Sequence, residues 1–438
     1  MRYRIGSSKA RKTYLIFSLL LLIEVFLPSM IAYAVSVSVF LYFVYCNKGK
    51  IVSPFRGMKY LYLIIILGTV IGFISMSLGK FETRDFIRDI YYFTNPLFVI
   101  INGAYFKKRL KEDSLFFNSI VAVAGVQALY YLLHAIVVFL GQGAGLSFIN
   151  WRLIFKDSNP IAAAAVVILL IDSLHRFVTL KKSVRITVCV MCILEILISF
   201  SRTNLLLVIV TTLVVAIQRG VFKNARKWLE YIALTIAVIG VAVVLLGRTD
   251  AVTTFVEKTA NSITEISTAL DWSSAAVIQR NWRGYETHSA LVQFGSYPLH
   301  RQILGYGFGE RIEVGIYANL FLSITNTDGS AATSIPVLHN GYSTMLCKLG
   351  ITGIILYLAF YISLLDLGRK RKNINRRNSE LLIAIVISIA IETYFLNGLF
   401  RENINYPFIY LIGYLSYSLK VKENYNVADE QSEAVFAR

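Results

Sequence analysis

Long apolar runs alternate with short basic loops along most of the chain. The runs fall at 13–27, 29–46, 58–78, 86–106, 115–140, 160–174, 184–200, 203–218, 228–246, 342–365, 381–396 and 406–419. Most approach the roughly 20 residues with which a helix crosses a bilayer core about 30 Å thick. They are continuous, not alternating in polarity, so they read as helices and not strands. A spanning helix also satisfies its own backbone where no water can. The pattern predicts an all-α, polytopic membrane protein with about twelve transmembrane helices. Two boundaries rest on short breaks. The stretch 184–217 is too long for one span, and Ser199-Phe200-Ser201-Arg202 divides it; Pro28-Ser29 divides the first two spans. Ala32-Tyr33-Ala34 mimics a signal-peptide cleavage site. The apolar text nevertheless runs on to Cys46, so this region reads as a second span.

One long polar segment, 248–340, interrupts the pattern between the ninth and tenth spans. It divides the chain into 1–247 (helices one to nine), 248–340, 341–420 (helices ten to twelve) and a polar tail, 421–438. Inside the segment, 251–270 has helical spacing. A second helix is expected over 273–294, with an apolar stripe of Ile278, Trp282, Tyr285 and Val292. Arg280 and Arg283, three apart, would be neighbours on the opposite face. Gly295 and Pro298 would end that helix. Gly305-Tyr306-Gly307-Phe308-Gly309 then makes a turn where backbone can approach a partner closely.

Charge fixes the sidedness. The net charge is +18 with 56% hydrophobic residues and a mean hydropathy of +0.60. Such a charge would point to nucleic acid in a soluble protein, but here thirty of the 44 Lys+Arg lie in the tails and loops on one side of the twelve-span scheme. Basic loops stay cytoplasmic, so both termini are expected in the cytoplasm and no nucleic-acid partner is expected. The 248–340 segment carries six Lys+Arg against eight Asp+Glu and falls on the outer side. Four cysteines occur, all in or beside apolar runs; Cys189 and Cys192 form a C-x-x-C without a second pair and read as small core residues.

Three outer-face elements could carry chemistry. Arg202 sits at the mouth between spans seven and eight with almost no loop around it. It is either an arginine snorkelling to the interface or a rigidly presented fork for phosphate oxygens. Arg280 and Arg283 are either a solvated face, with Glu286 as an i+3 partner for Arg283, or a second anion-binding pair. His339-Asn340 opens span ten, and a histidine titrating near neutrality there is a usable proton acceptor. His288 and His300 read as loop residues. No H-x-x-x-H or similar spacing occurs, so no metal and no cofactor is expected. Arg152 and Lys156, before Asn159-Pro160, would line the entrance to the same outer cavity. Among acidic residues in or near spans, Asp172 and Asp366 read as interfacial, Glu195 and Glu392 as interhelical contacts, and Glu24 as a further candidate.

This arrangement resembles the bacterial O-antigen ligase and O-antigen polymerase superfamily. Arg283, Ala290-Leu291, Pro298 and Leu304-Gly305-Tyr306-Gly307-Phe308-Gly309 are similar to the family's arginine helix leading into P-x-x-G-x-G. His339-Asn340-Gly341-Tyr342 through Leu349-Gly350-Ile351-Thr352-Gly353 is similar to its H-N-x-x-L … G-x-x-G run. Thr287 stands where the family usually places an aromatic residue. The resemblance implies a metal-independent membrane glycosyltransferase of the inner membrane, involved in lipopolysaccharide biosynthesis. Its donor would be a glycan on undecaprenyl diphosphate at the periplasmic face, and its acceptor another glycan or the lipid A core. Membrane lipids and a chain-length regulator would be further partners. Arg202 and Arg283 (or Arg280) would bind the diphosphate and His339 would be the base, with Asn340, Arg152 and Lys156 assisting. A repeat-unit polymerase is the first expectation and a ligase the second. A flippase for the same lipids is the rival from another class, but the chain lacks the related halves expected of a transporter.

Overall fold

The computed structural model describes residues 8–110, 112–142, 160–220, 265–268, 270–322, 331–401 and 405–420. Helices stand at eleven of the twelve apolar runs: α1 (Ser8–Phe26), α2 (Ser29–Cys46), α3 (Met58–Ser77), α4 (Thr83–Arg109), α5 (Asp113–Gln142), α6 (Pro160–His175), α7 (Lys182–Ile198) and α8 (Arg202–Arg219) in the first part. The ninth run, 228–246, lies outside the described residues, as do 251–264, Arg152, Lys156 and the tail 421–438. The polar segment contributes α9 (Ala275–Arg280), α10 (Trp282–Gly295), α11 (Leu299–Leu304), β1 (Ile312–Glu313), α12 (Tyr317–Leu322) and β2 (Ser334–Ile335). Then follow α13 (Gly341–Lys370), α14 (Arg376–Leu396) and α15 (406–420). Among the described residues, six helices are long and apolar enough to cross a membrane: α2, α3, α5 over Asp113–Val138, α8, α13 and α14.

The short breaks act as the sequence suggests. Pro28 lacks an N–H and precedes α2 with φ −54° and ψ 144°, so it separates α1 from α2. Between α7 and α8, Phe200 takes a left-handed φ of 51°, and Ser201 Oγ accepts the Asn204 N–H at 3.3 Å to cap α8. That cap fixes Arg202 in the first turn of the helix.

The expectation of an all-α chain needs one amendment. β1 and β2 form a two-residue antiparallel ribbon, with Ile312 opposite Ile335 and Glu313 opposite Ser334. The ribbon helps build a small core of its own: Ala290, Ile312, Val314, Ala318, Ile335, Leu338 and Cys347, covered by Trp282, Tyr285 and Phe294. The helix expected over 273–294 is two helices. Asn281, at φ −118° and ψ 40°, breaks it between α9 and α10. The apolar stripe is also shorter than expected, since Ile278 is fully buried but Val292 is exposed. His288 and His300 lie on α10 and α11, not in loops.

The glycine turn is a wedge inserted among helices. Phe308 fills the space above Gly68 of α3 and packs against Phe93 of α4, with ring centroids 4.3 Å apart and planes tilted by 36°. Its N–H donates to the Gly68 carbonyl at 2.9 Å, and the Gly307 N–H to the Lys348 carbonyl at 2.7 Å. Gly307, at φ +88°, would put a Cβ 2.0 Å from the Gly72 nitrogen, so only glycine permits this approach. Behind the wedge, Lys348 of α13 and Asp89 of α4 form a fully buried ion pair, and Asp89 also accepts the Gly309 N–H at 2.7 Å. Gly350, at φ +62°, kinks α13 where α11 crosses it.

The acidic residues in or near spans divide as follows. Glu195 accepts Gln127 Nε2 of α5 at 2.7 Å, and Glu392 accepts Asn405 Nδ2 with Arg401 3.7 Å away, so both are contacts between elements. Glu24 accepts the Tyr410 hydroxyl at 2.6 Å. Asp366 is exposed and pairs with Lys370, in keeping with an interfacial position. Asp172 is buried instead, paired with Arg185 and accepting the Val178 N–H at 2.7 Å.

Candidate functional site

The site forms where α8, α10 and the start of α13 meet, at one end of the bundle. Arg202 projects from the first turn of α8. Its Nη1 donates to Glu265 Oε2 at 2.8 Å, with Nη2 3.5 Å from Oε1. Arg283, in the first turn of α10, brings its Nε to 3.8 Å from the same carboxylate. Two guanidinium forks from distant parts of the chain therefore converge on one anionic group. Gly284 makes this possible, because any Cβ there would lie 2.2 Å from the Ser267 carbonyl oxygen. Arg202 is not a snorkelling side chain: its fork is committed to a carboxylate, and only 20% of the side chain is exposed.

Arg280 does not join this pair. It ends α9, is exposed, and is separated from Arg283 by the break at Asn281. The two arginines thus do not share a helix face, and of the two it is Arg283 that reaches Arg202's partner.

One turn along α10, Glu286 takes a different role from the i+3 partner of Arg283. Its carboxylate is 1% exposed and turns to His339. It accepts the His339 N–H at 2.9 Å and faces Nδ1 at 2.8 Å. With Nδ1 held against this carboxylate, Nε2 is the ring nitrogen left outside the contact. The His339 carbonyl is fixed from the other side by the Asn397 N–H at 2.5 Å. Gly341 allows that closeness, since a Cβ there would sit 2.8 Å from the Asn397 Cα. The imidazole is 36% exposed, so a backbone clamped on both sides presents a ring that solvent can reach.

Asn340 is buried and caps α13: its Oδ1 accepts the N–H groups of Tyr342 and Ser343 at 3.0 and 3.2 Å. Its Nδ2 reaches Thr287 Oγ1 at 3.4 Å, and that hydroxyl donates to the Arg283 carbonyl at 3.0 Å. Thr287 thereby stitches α10 to the residue that caps α13. The structure brings together Arg202, Arg283, His339 and Asn340 from among the residues the sequence singled out. Arg152 and Lys156 lie outside the described residues. Sequence reasoning missed Glu265 and Asn397, gave Thr287 no role, and misassigned Glu286. Nothing in local spacing signals a partner 53 residues away, although a glutamate one turn from Arg283 on a buried helix was the trace to follow.

Chemically, the arrangement sets two guanidiniums around one carboxylate and, one turn along α10, an imidazole oriented by a second. Arg283 and Glu286 are three apart on α10, and such side chains are about 5–6 Å apart at Cβ. Residues 187–358 match the family model described as O-antigen ligase, and that span contains Arg202, Glu265, Arg283, Glu286, Thr287, His339 and Asn340 but not Asn397. No curated protein matches the chain.

Proposed function

We propose, from the O-antigen ligase superfamily to which residues 187–358 assign this multi-pass membrane protein, that it transfers a glycan from undecaprenyl diphosphate to a hydroxyl acceptor at the periplasmic face. The observation that carries this reading is α10 itself, which holds the fork partner Arg283 and the histidine-orienting Glu286 one turn apart. The diphosphate of the donor takes the place that Glu265 now fills between Arg202 and Arg283. The acceptor oxygen attacks the anomeric carbon while His339 Nε2 takes its proton. The bond from that carbon to the diphosphate breaks, and its electron pair leaves with the diphosphate, whose growing charge the two guanidiniums stabilise. Asn340 keeps His339 at the head of α13, and Arg152 and Lys156 serve the entrance.

The acceptor in this reading is a second lipid-linked repeat unit, which makes the protein a polymerase of surface polysaccharide. A ligase, using the lipid A core as acceptor, is the second reading, favoured by the description of the matched family. Deletion followed by a glycan profile separates them. Single repeat units on lipid A mark a lost polymerase, and long polymer stranded on the carrier lipid marks a lost ligase. A His339→Ala chain that accumulates in the membrane yet restores the normal profile would sink both.

A further inference from the structure

A second site stands at the opposite end of the bundle. The α2–α3 connection, the last turn of α4 and the last turn of α15 line an open cavity of about 310 Å3, with Asn47, Lys50, Ser53, Lys108, Tyr417 and Lys420 among its lining residues. Three of its lining residues are lysines and none is acidic. The hydrogen bonds sharpen the imbalance. Lys108 Nζ donates to Asn47 Oδ1 at 2.6 Å, and Lys420 Nζ to the Ser53 carbonyl at 2.9 Å; both acceptors are neutral. Lys107, the residue before, pairs with the Asp113 carboxylate. The end of α4 thus neutralises one lysine and presents the next to the cavity without a counter-charge among the described residues.

The cavity wall is held in place. The buried Tyr105 hydroxyl donates to the Lys50 carbonyl at 2.8 Å and accepts the Val52 N–H at 3.3 Å, pinning the α2–α3 connection to α4. Beside it lies apolar surface: Ile51 is 57% exposed, and Leu41 and Tyr45 of α2 are exposed as well. Ammonium groups gathered without a counter-ion repel one another, and an anion between them reverses the sign of that interaction. A basic pocket at helix ends, next to lipid-facing apolar surface, matches a headgroup and its chains.

We propose that this cavity binds the phosphate of an anionic phospholipid, whose acyl chains lie along the exposed face of α2. The proposal stands apart from glycan transfer, since no residue of the His339 site takes part.

The test uses the full chain, delipidated in a neutral detergent and titrated with phosphatidylglycerol or phosphatidylcholine, with bound lipid counted by native mass spectrometry. Each lysine near an anionic surface is worth about a factor of five in affinity. A Lys50→Gln/Lys108→Gln/Lys420→Gln chain is therefore expected to bind phosphatidylglycerol about a hundredfold more weakly. The single Lys50→Gln chain, changed at an exposed position, gives the same test at about fivefold should the triple variant fail to fold. Equal binding of the two lipids by the native protein would overturn the proposal, as would undiminished phosphatidylglycerol binding by these variants. Inorganic phosphate is the third arm. It is expected to leave bound phosphatidylglycerol in place at equal concentration; displacement there would assign the cavity to a soluble phosphate and overturn the lipid.

Discussion

Glu286→Gln is the sharpest probe of the site. The buried carboxylate takes two contacts from His339, one from its N–H at 2.9 Å and one at Nδ1 at 2.8 Å. The amide has the same shape, and its oxygen can still accept the backbone N–H. Its NH2 then faces Nδ1, and two donors cannot share that contact. The ring responds by moving its proton to Nε2, which removes the lone pair that should take the acceptor's proton. A positioned general base contributes about 10²- to 10⁴-fold to rate, so kcat should fall by that factor, about 3–5 kcal/mol in the barrier. KM for the lipid donor should change by less than about threefold, because the proposed mechanism gives donor binding to the arginine fork. Exchanging charged for neutral hydrogen bonds should cost about 1–2 kcal/mol of stability, too little to unfold the chain. The assay is single-turnover transfer from a lipid-linked glycan by purified protein in nanodiscs. Adding Glu286→Gln to His339→Ala should produce no further loss, since both remove one function. A Glu286→Gln rate within about threefold of native, or a double variant as slow as the product of the singles, would refute the reasoning.

Three further outcomes follow from the same structure. Arg283→Ala and Arg202→Ala should each abolish detectable polymer in a complementation assay, while Arg280→Ala, exposed at the end of α9, should leave the glycan profile unchanged. Gly307→Ala forces a side chain into a left-handed conformation, at about 1–2 kcal/mol, and against the α3 backbone besides; it should lower the melting temperature in detergent and reduce the amount of protein in the membrane. Lys348→Met leaves the buried Asp89 with only the more distant Arg88, 3.6 Å away, as an ion partner and should destabilise by up to about 3–5 kcal/mol in the same melting assay, with Lys348→Met/Asp89→Asn recovering most of the loss.

The hydrophobic pattern was enough to place eleven helices to within a few residues at most ends, because a run of apolar residues near span length has few other ways to satisfy its backbone. It also located the breaks at Pro28 and at Ser199 to Ser201, where backbone chemistry is local. Arg202 and His339 were legible as candidates because each is a polar group at the edge of an apolar run, and Arg283 because it lies three residues from Arg280 on an expected helix. What they touch was not. The sequence left Arg280 and Arg283 equivalent, and only the break at Asn281 and the approach at Gly284 separate them. Glu286 read as a surface partner of Arg283, whereas packing of α10 on α13 turns it to His339. The glycine turn read as a place of close backbone approach, but which three helices it wedges between was not in the sequence. The lysine cavity was likewise invisible, since Lys50, Lys108 and Lys420 meet only when three helix ends do. Local backbone and burial preferences are written in neighbouring residues and survive in the sequence alone. The pairing of charges across 53 residues or more depends on which helices pack together, and that is decided only in the folded bundle.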